Sequence, residues 1–155
     1  MRRSALLLVF VTGMSVLGAS CGSSSPGPST SGGGSATAAI KANWETFFNG
    51  RTPASKKTEL LQNGQQFASV IQSMASSPMA TSTTVRVHGV TMHGSNRATV
   101  RYDILLGGNP ALTNQTGVAV LEGGTWKVGD QSFCGLLQLQ GSAPPTCGGA
   151  SPSPS

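Results

Sequence analysis

Apolar side chains recur at helical spacing as far as Met74 and at every second position from Val85 onward. That change of period in mid-chain leaves few architectures open. In the first half, Ile40, Trp44, Phe47 and Phe48 fall at i, i+4, i+7 and i+8, one face of a helix over residues 36–49. Ser35 is placed to cap this helix and Asn49-Gly50 to end it. Thr52-Pro53 restarts a helix, with threonine as N-cap and proline in the first helical position, and Asn63-Gly64 breaks it after about Gln62. Phe67, Val70, Ile71 and Met74 mark a third helix, closed by Ser77-Pro78.

The second half reads as strands. Val85 and Val87 alternate with Thr84, Arg86 and His88, then the alternation slips at His88-Gly89 and resumes with Val90 and Met92. One inserted residue beside a glycine predicts a β-bulge. Gly94-Ser95-Asn96 makes a hairpin turn. The next strand carries Ala98, Val100, Tyr102, Ile104 and Leu106 on one face and Thr99, Arg101 and Asp103 on the other. Gly107-Gly108-Asn109-Pro110 reads as a loop, and residues 114–122 as a third strand with Val118 and Val120 inward. Gly123-Gly124 turns into a fourth strand over residues 125–129, with Trp126 and Val128 inward. Residues 133–140, with Leu136, Leu137 and Leu139, read as a short helix or a strand extension. Helices followed by hairpin-linked strands specify an α+β fold. N-terminal helices pack on the apolar face of a four-stranded antiparallel meander sheet.

The segment ahead of this domain bears on location. Arg2 and Arg3 precede a thirteen-residue, largely apolar run over residues 5–17, and the small residues Gly18, Ala19 and Ser20 follow it. This is the layout of a secretory signal over residues 1–20. The run is shorter than the roughly 20 residues a spanning helix needs. Residues 22–35 are all Gly, Ser, Pro or Thr, so they have nothing to pack into a core. As a coil they span roughly 20 Å. The sequence from Leu17 to Cys21 resembles the bacterial lipobox, with Gly18 at the position three before the cysteine where leucine is common. That resemblance implies diacylglyceryl transfer to the Cys21 sulfur, cleavage before it, and residues 21–35 as a lipidated tether on the extracytoplasmic face of the cell membrane. The alternative is a secreted protein cut near Ala19, with Cys21 as a bystander.

Once Cys21 is acylated, Cys134 and Cys147 remain, with twelve residues between them. In an oxidising compartment a disulfide is favoured, worth about 3 kcal/mol for such a loop. The alternative is a redox or metal pair, but there is no C-x-x-C, and His88 and His93 are the only histidines. The net charge is +5, yet the basic residues are scattered, and Lys56-Lys57 is their one adjacent pair after the signal. Nucleic-acid binding would call for a clustered basic stripe interleaved with aromatics, so it is excluded as a reading.

The opening Trp44-Glu45-Thr46-Phe47-Phe48-Asn49-Gly50 and the closing Gly124-Thr125-Trp126-Lys127-Val128-Gly129-Asp130, followed by Leu136-Leu137, resemble the mycobacterial low-molecular-weight secreted antigen family and related actinobacterial lipoproteins. Three helices ahead of a bulged antiparallel sheet resemble the cystatin-like cone of the nuclear transport factor 2-like superfamily. The resemblance covers about residues 36–139 and implies a curved sheet in an exported domain, here bounded as residues 36–140, with no catalytic residue to carry over; composition makes residues 141–155 a Pro/Ser/Gly-rich tail.

Enzymes on such cones place acids and bases inside the cavity. The acids here are Glu45, Glu59, Asp103, Glu122 and Asp130. Asp103 is expected to pair with Arg101 at the surface, Tyr102 to point to the apolar side, and His88 and His93 to be exposed without a third metal ligand. Neither a catalytic residue nor a cofactor is expected. The remaining feature is an apolar pocket built by Trp44, Phe47, Phe48, Tyr102, Val118, Val120 and Trp126. The expected function is that of a non-catalytic, membrane-anchored lipoprotein. It would bind an apolar small molecule or lipid, or serve an envelope partner as an accessory module. The alternative is a weak enzyme using Tyr102 with Asp103 or Asp130.

Overall fold

The computed structural model describes residues 32–149. The signal segment, Cys21, most of the tether and the end of the tail lie outside the described residues. Helix α1 spans Gly32–Phe48. Its inward face is the expected one, with Ile40, Trp44 and Phe47 buried. It begins at Gly32 rather than at residue 36, so Ser35 sits inside the first turn instead of capping it. A helix anchored by packing from Ile40 onward propagates outward cheaply, because each added residue gains a hydrogen bond without a new nucleation step.

Helix α2, Ala54–Leu60, has Pro53 at its N-cap in extended geometry, one position later than expected. It stops short of Gln62 because Leu61 turns extended and bridges Val128 in parallel. The Gln62 N–H then donates to the Val128 carbonyl at 2.8 Å. Asn63, at φ 52°, reverses the chain into a 3-10 turn over Gly64–Phe67, and helix α3 follows over Ala68–Ala75. Pro78 does more than close α3, since it opens a one-turn helix α4, Pro78–Thr81, from the first-turn position that proline favours.

Strands β1 (Thr83–His93), β2 (Arg97–Leu106), β3 (Asn109–Glu122) and β4 (Thr125–Val128) form one antiparallel meander in the order β1-β2-β3-β4. The expected bulge is present. Val87 pairs with Tyr102 and Gly89 with Arg101, which leaves His88 as the extra residue. Helix α1 lies against both edge strands, β1 and β4, so the sheet wraps around it as a cone. The α+β class read from the change of period is the observed one.

Two features of the sheet differ from the sequence reading. Gly107 and Gly108, at φ 58° and 85°, make a tight two-residue turn rather than the start of a longer loop. Strand β3 therefore begins at Asn109, and Pro110 pairs with Leu105. Two successive left-handed positions suit a hairpin turn of matching twist. Proline is tolerated there because β4 reaches only residues 119–122 of β3, leaving Pro110 on an open edge. On β2 the register shifts around Ile104, so Leu105 is buried although it breaks the alternation.

The second difference is the phase of β3. Gly117 and Ala119, not Val118 and Val120, face the helices, opposite the buried Val100 and Ala98. Val118 and Val120 stand on the other face, with Val120 opposite Arg97 and Lys127. The Trp44 ring sets this phase, since a Cβ built on Gly117 would lie 2.8 Å from Trp44 Cζ2. Hydrophobicity alone selects the valines, whereas the space beneath the indole admits only glycine. Gly117→Val is therefore expected to destabilise the domain by about 1–3 kcal/mol through overpacking. Urea unfolding checks this, and an unchanged midpoint would mean that Trp44 is free to shift.

After β4 the chain forms helix α5, Asp130–Leu139, which settles the helix-or-strand choice and starts earlier than expected. Where β4 ends, α5 covers the exposed edge of β3. The Val118 N–H donates to Ser132 Oγ at 2.7 Å, and the Gly129 N–H to the Val118 carbonyl at 2.7 Å. Cys134 and Cys147 form a disulfide with their Cα atoms 5.5 Å apart. It fastens a 3-10 turn over Pro145–Gly149 to α5.

Candidate apolar binding cleft

A chain of aromatic rings runs through the interior. Tyr102 meets Trp44 edge-on at 5.4 Å and stacks on Phe48 at 5.6 Å. Phe48 packs on Phe47 at 4.8 Å, and Phe47 and Phe67 each meet Phe133 at 5.6 Å. Edge-to-face pairs of this kind add about 0.5–1.5 kcal/mol each beyond their buried area. The helical spacing of Trp44, Phe47 and Phe48 puts all three on the inner side of α1. The last two, near its C-terminal end, reach the open end of the cone.

There a cleft of about 600 Å³ lies between the end of α1, the α3–α4 segment, α5 and the β2–β3 hairpin. Phe47 and Phe48 form part of its wall, with Ile71 and Met74 from α3, Ile104 and Leu106 from β2, and Phe133, Leu136 and Leu137 from α5. Met79, Leu112 and Leu139 also line it. They are 70%, 42% and 70% exposed and are the large apolar side chains left in solvent among the described residues. Lys57 is the single charged residue of the lining, and burial pushes its ammonium down from the usual lysine range.

The other residues read from sequence as pocket-forming lie elsewhere. Trp44, Tyr102 and Trp126 are packed in the core, and Val118 and Val120 lie on the opposite sheet face. Those that line the cleft beyond the α1 pair were missed because nothing local distinguishes a Met or Leu at a rim from one in a core. Burial pushes the Tyr102 hydroxyl up to about 12.

Asp103 does not pair with Arg101. Its carboxylate accepts the Asn114 N–H at 2.8 Å and lies 2.7 Å from His88 Nε2, clasping the bulge to β3. The Asn114 hydrogen bond first, then His88, holds the Asp103 carboxyl below its ordinary range. Asp130 accepts from Asn63 Nδ2 at 2.8 Å and from the Gln131 N–H at 2.7 Å, at the start of α5. Tyr102, Asp103 and Asp130 are thus each held by a different set of partners. His93 Nε2 lies 2.8 Å from Thr99 Oγ1. Among the described residues no cluster of three His, Cys, Asp or Glu side chains is placed to hold a metal ion.

A second, polar recess is lined by Lys56, Glu59, Asn63, Glu122 and Lys127. Its charges neutralise one another in pairs, Lys56–Glu59 at 2.9 Å and Lys127–Glu122 at 3.5 Å. Little charge is left there to recruit a ligand, so the apolar cleft is the stronger candidate. No helix among the described residues is long and apolar enough to cross a membrane.

No curated protein and no solved structure matches the chain. Residues 34–144, which hold the sheet and every residue lining the cleft, match the family model of the low molecular weight antigen MTB12 C-terminal domain, and the chain belongs to that family.

Proposed function

We propose that this protein is a non-catalytic binding module, exported and moored on the extracytoplasmic face of the cell membrane by acyl chains on Cys21. Its cleft takes an apolar small molecule or a lipid chain. The observation that carries the reading is the convergence of Met79, Leu112 and Leu139 on one cleft. Exposed apolar side chains scattered singly need no explanation, whereas a set gathered around a concave apolar surface marks a binding site. The mooring is supported by the order of features at the N-terminus: a short apolar run, small residues, Cys21, then a tract that cannot pack. Two acyl chains suffice for stable anchoring, where one is marginal.

Native mass spectrometry of the detergent-extracted protein tests both parts. The expected spectrum shows an acyl mass on Cys21 and a co-purified apolar ligand. The double substitution Met79→Arg/Leu112→Arg places two charges on the rim at exposed positions. It is expected to abolish the ligand mass while leaving the unfolding free energy within about 0.5 kcal/mol of wild type, as surface changes usually do. A ligand retained by the double variant would remove the cleft from the reading. An unmodified Cys21 would remove the mooring.

A further inference from the structure

Resting on the apolar-cleft reading above, we propose that the occupant is a single-chain amphiphile with a carboxylate head, of the fatty-acid class, and that the head pairs with Lys57. The cleft wall offers aliphatic and aromatic surface on every side and one cation. Lys57 stands in the last turn of α2, where the partial negative charge of the helix end favours an ammonium. The ion pairs among the described residues are Lys41–Glu45, Lys56–Glu59, His88–Asp103 and Lys127–Glu122, and none of them includes Lys57. The carboxylate nearest in sequence, Glu59, is already taken by Lys56 at 2.9 Å. A half-buried ammonium on an apolar wall, with no counter-ion among the described residues, is the complement of an amphiphile's anionic head. The lysine stem lies along apolar surface while its charge meets the head.

The charge count selects the head. Dianionic phosphates are held by arginine forks or by several donors, and this wall has no arginine and only one lysine. A lone ammonium matches a monoanion. The volume selects the tail, since about 600 Å³ lies in the range of sites that hold one drug-sized ligand.

The test uses the full chain in membrane vesicles with three photoactivatable probes of equal chain length: a diazirine fatty acid, the corresponding fatty alcohol, and a two-chain diazirine phosphatidic acid. Expected is fatty-acid labelling on the peptides carrying Met79, Leu112 and Leu139. Lys57→Gln should lower it about tenfold, the usual worth of a charge-assisted hydrogen bond, and Lys57→Arg should largely retain it. Labelling by the alcohol reports an intact cleft in both variants. Fatty-acid labelling that is equal in wild type and Lys57→Gln, or weaker than phosphatidic-acid labelling, overturns the inference and leaves the apolar cleft standing. Labelling by none of the probes sinks the cleft reading itself.

Discussion

Trp44→Ala is expected to destabilise the domain by about 3–5 kcal/mol, the cost of emptying a large, fully packed site. The indole is 1% exposed, and its ring touches three elements at once. It packs on Phe48 of its own helix at 5.8 Å, on Tyr102 of β2 at 5.4 Å, and directly over Gly117 of β3. Deleting it leaves a void that α1 cannot close without leaving the sheet. Trp44→Phe is expected to cost much less, for a reason specific to this site. Among the described residues Trp44 Nε1 is the buried side-chain polar atom without a hydrogen-bond partner. Leaving such a donor unpaired costs about 1–3 kcal/mol, and phenylalanine removes that penalty while keeping most of the ring. Urea unfolding of the three proteins gives the comparison. An alanine variant within about 1 kcal/mol of wild type would show that the indole does not hold α1 to the sheet.

The second large effect is on the disulfide. Cys134→Ala/Cys147→Ala is expected to cost about 2–5 kcal/mol, as is usual when a small domain loses a native bridge. Both sulfurs are buried, so alanine is the fitting replacement, since serine would add two buried hydroxyls. The loss should also reach the binding site. Phe133, Leu136, Leu137 and Leu139 come from α5, and the bridge holds α5 to the turn at Pro145–Gly149. The unfolding midpoint of the wild type should therefore fall when a reductant is added, and that of the double variant should not respond. If the wild-type midpoint is also insensitive, α5 is held by its apolar face alone.

Much of the fold was legible because it follows from local rules. The i, i+4, i+7 spacing of Ile40, Trp44 and Phe47 sets which side of a helix is apolar wherever that helix docks. The slip at His88-Gly89 marks a bulge because a strand's side chains alternate regardless of its partner. The alternation of Trp126 and Val128 put both inward for the same reason. The cleft was less legible. Phe47 and Phe48 could be assigned to an aromatic helix face, but whether a ring ends in the core, like Trp44, or on a cleft wall depends on what arrives from residues far along the chain. The partner of Asp103 was misread as Arg101 because neighbours on one strand face are the visible candidates. The actual partners come from the bulge on β1 and from Asn114 on β3.

The chain by itself determined the order of three helices before four strands, the inner faces of α1 and β4, the bulge and the pair of cysteines near its C-terminal end. Each of these depends on backbone geometry within a few residues, or on counting. Only the tertiary structure decided that Gly117 and Ala119 face inward and that the end of the cone stays open with Lys57 at its wall. Both outcomes turn on volume. A tryptophan from α1 claims the space over β3, so the smallest residues must lie beneath it. The apolar surfaces of α3, α5 and the β2–β3 hairpin meet too loosely to cover one another, and no local pattern records how much room is left between them.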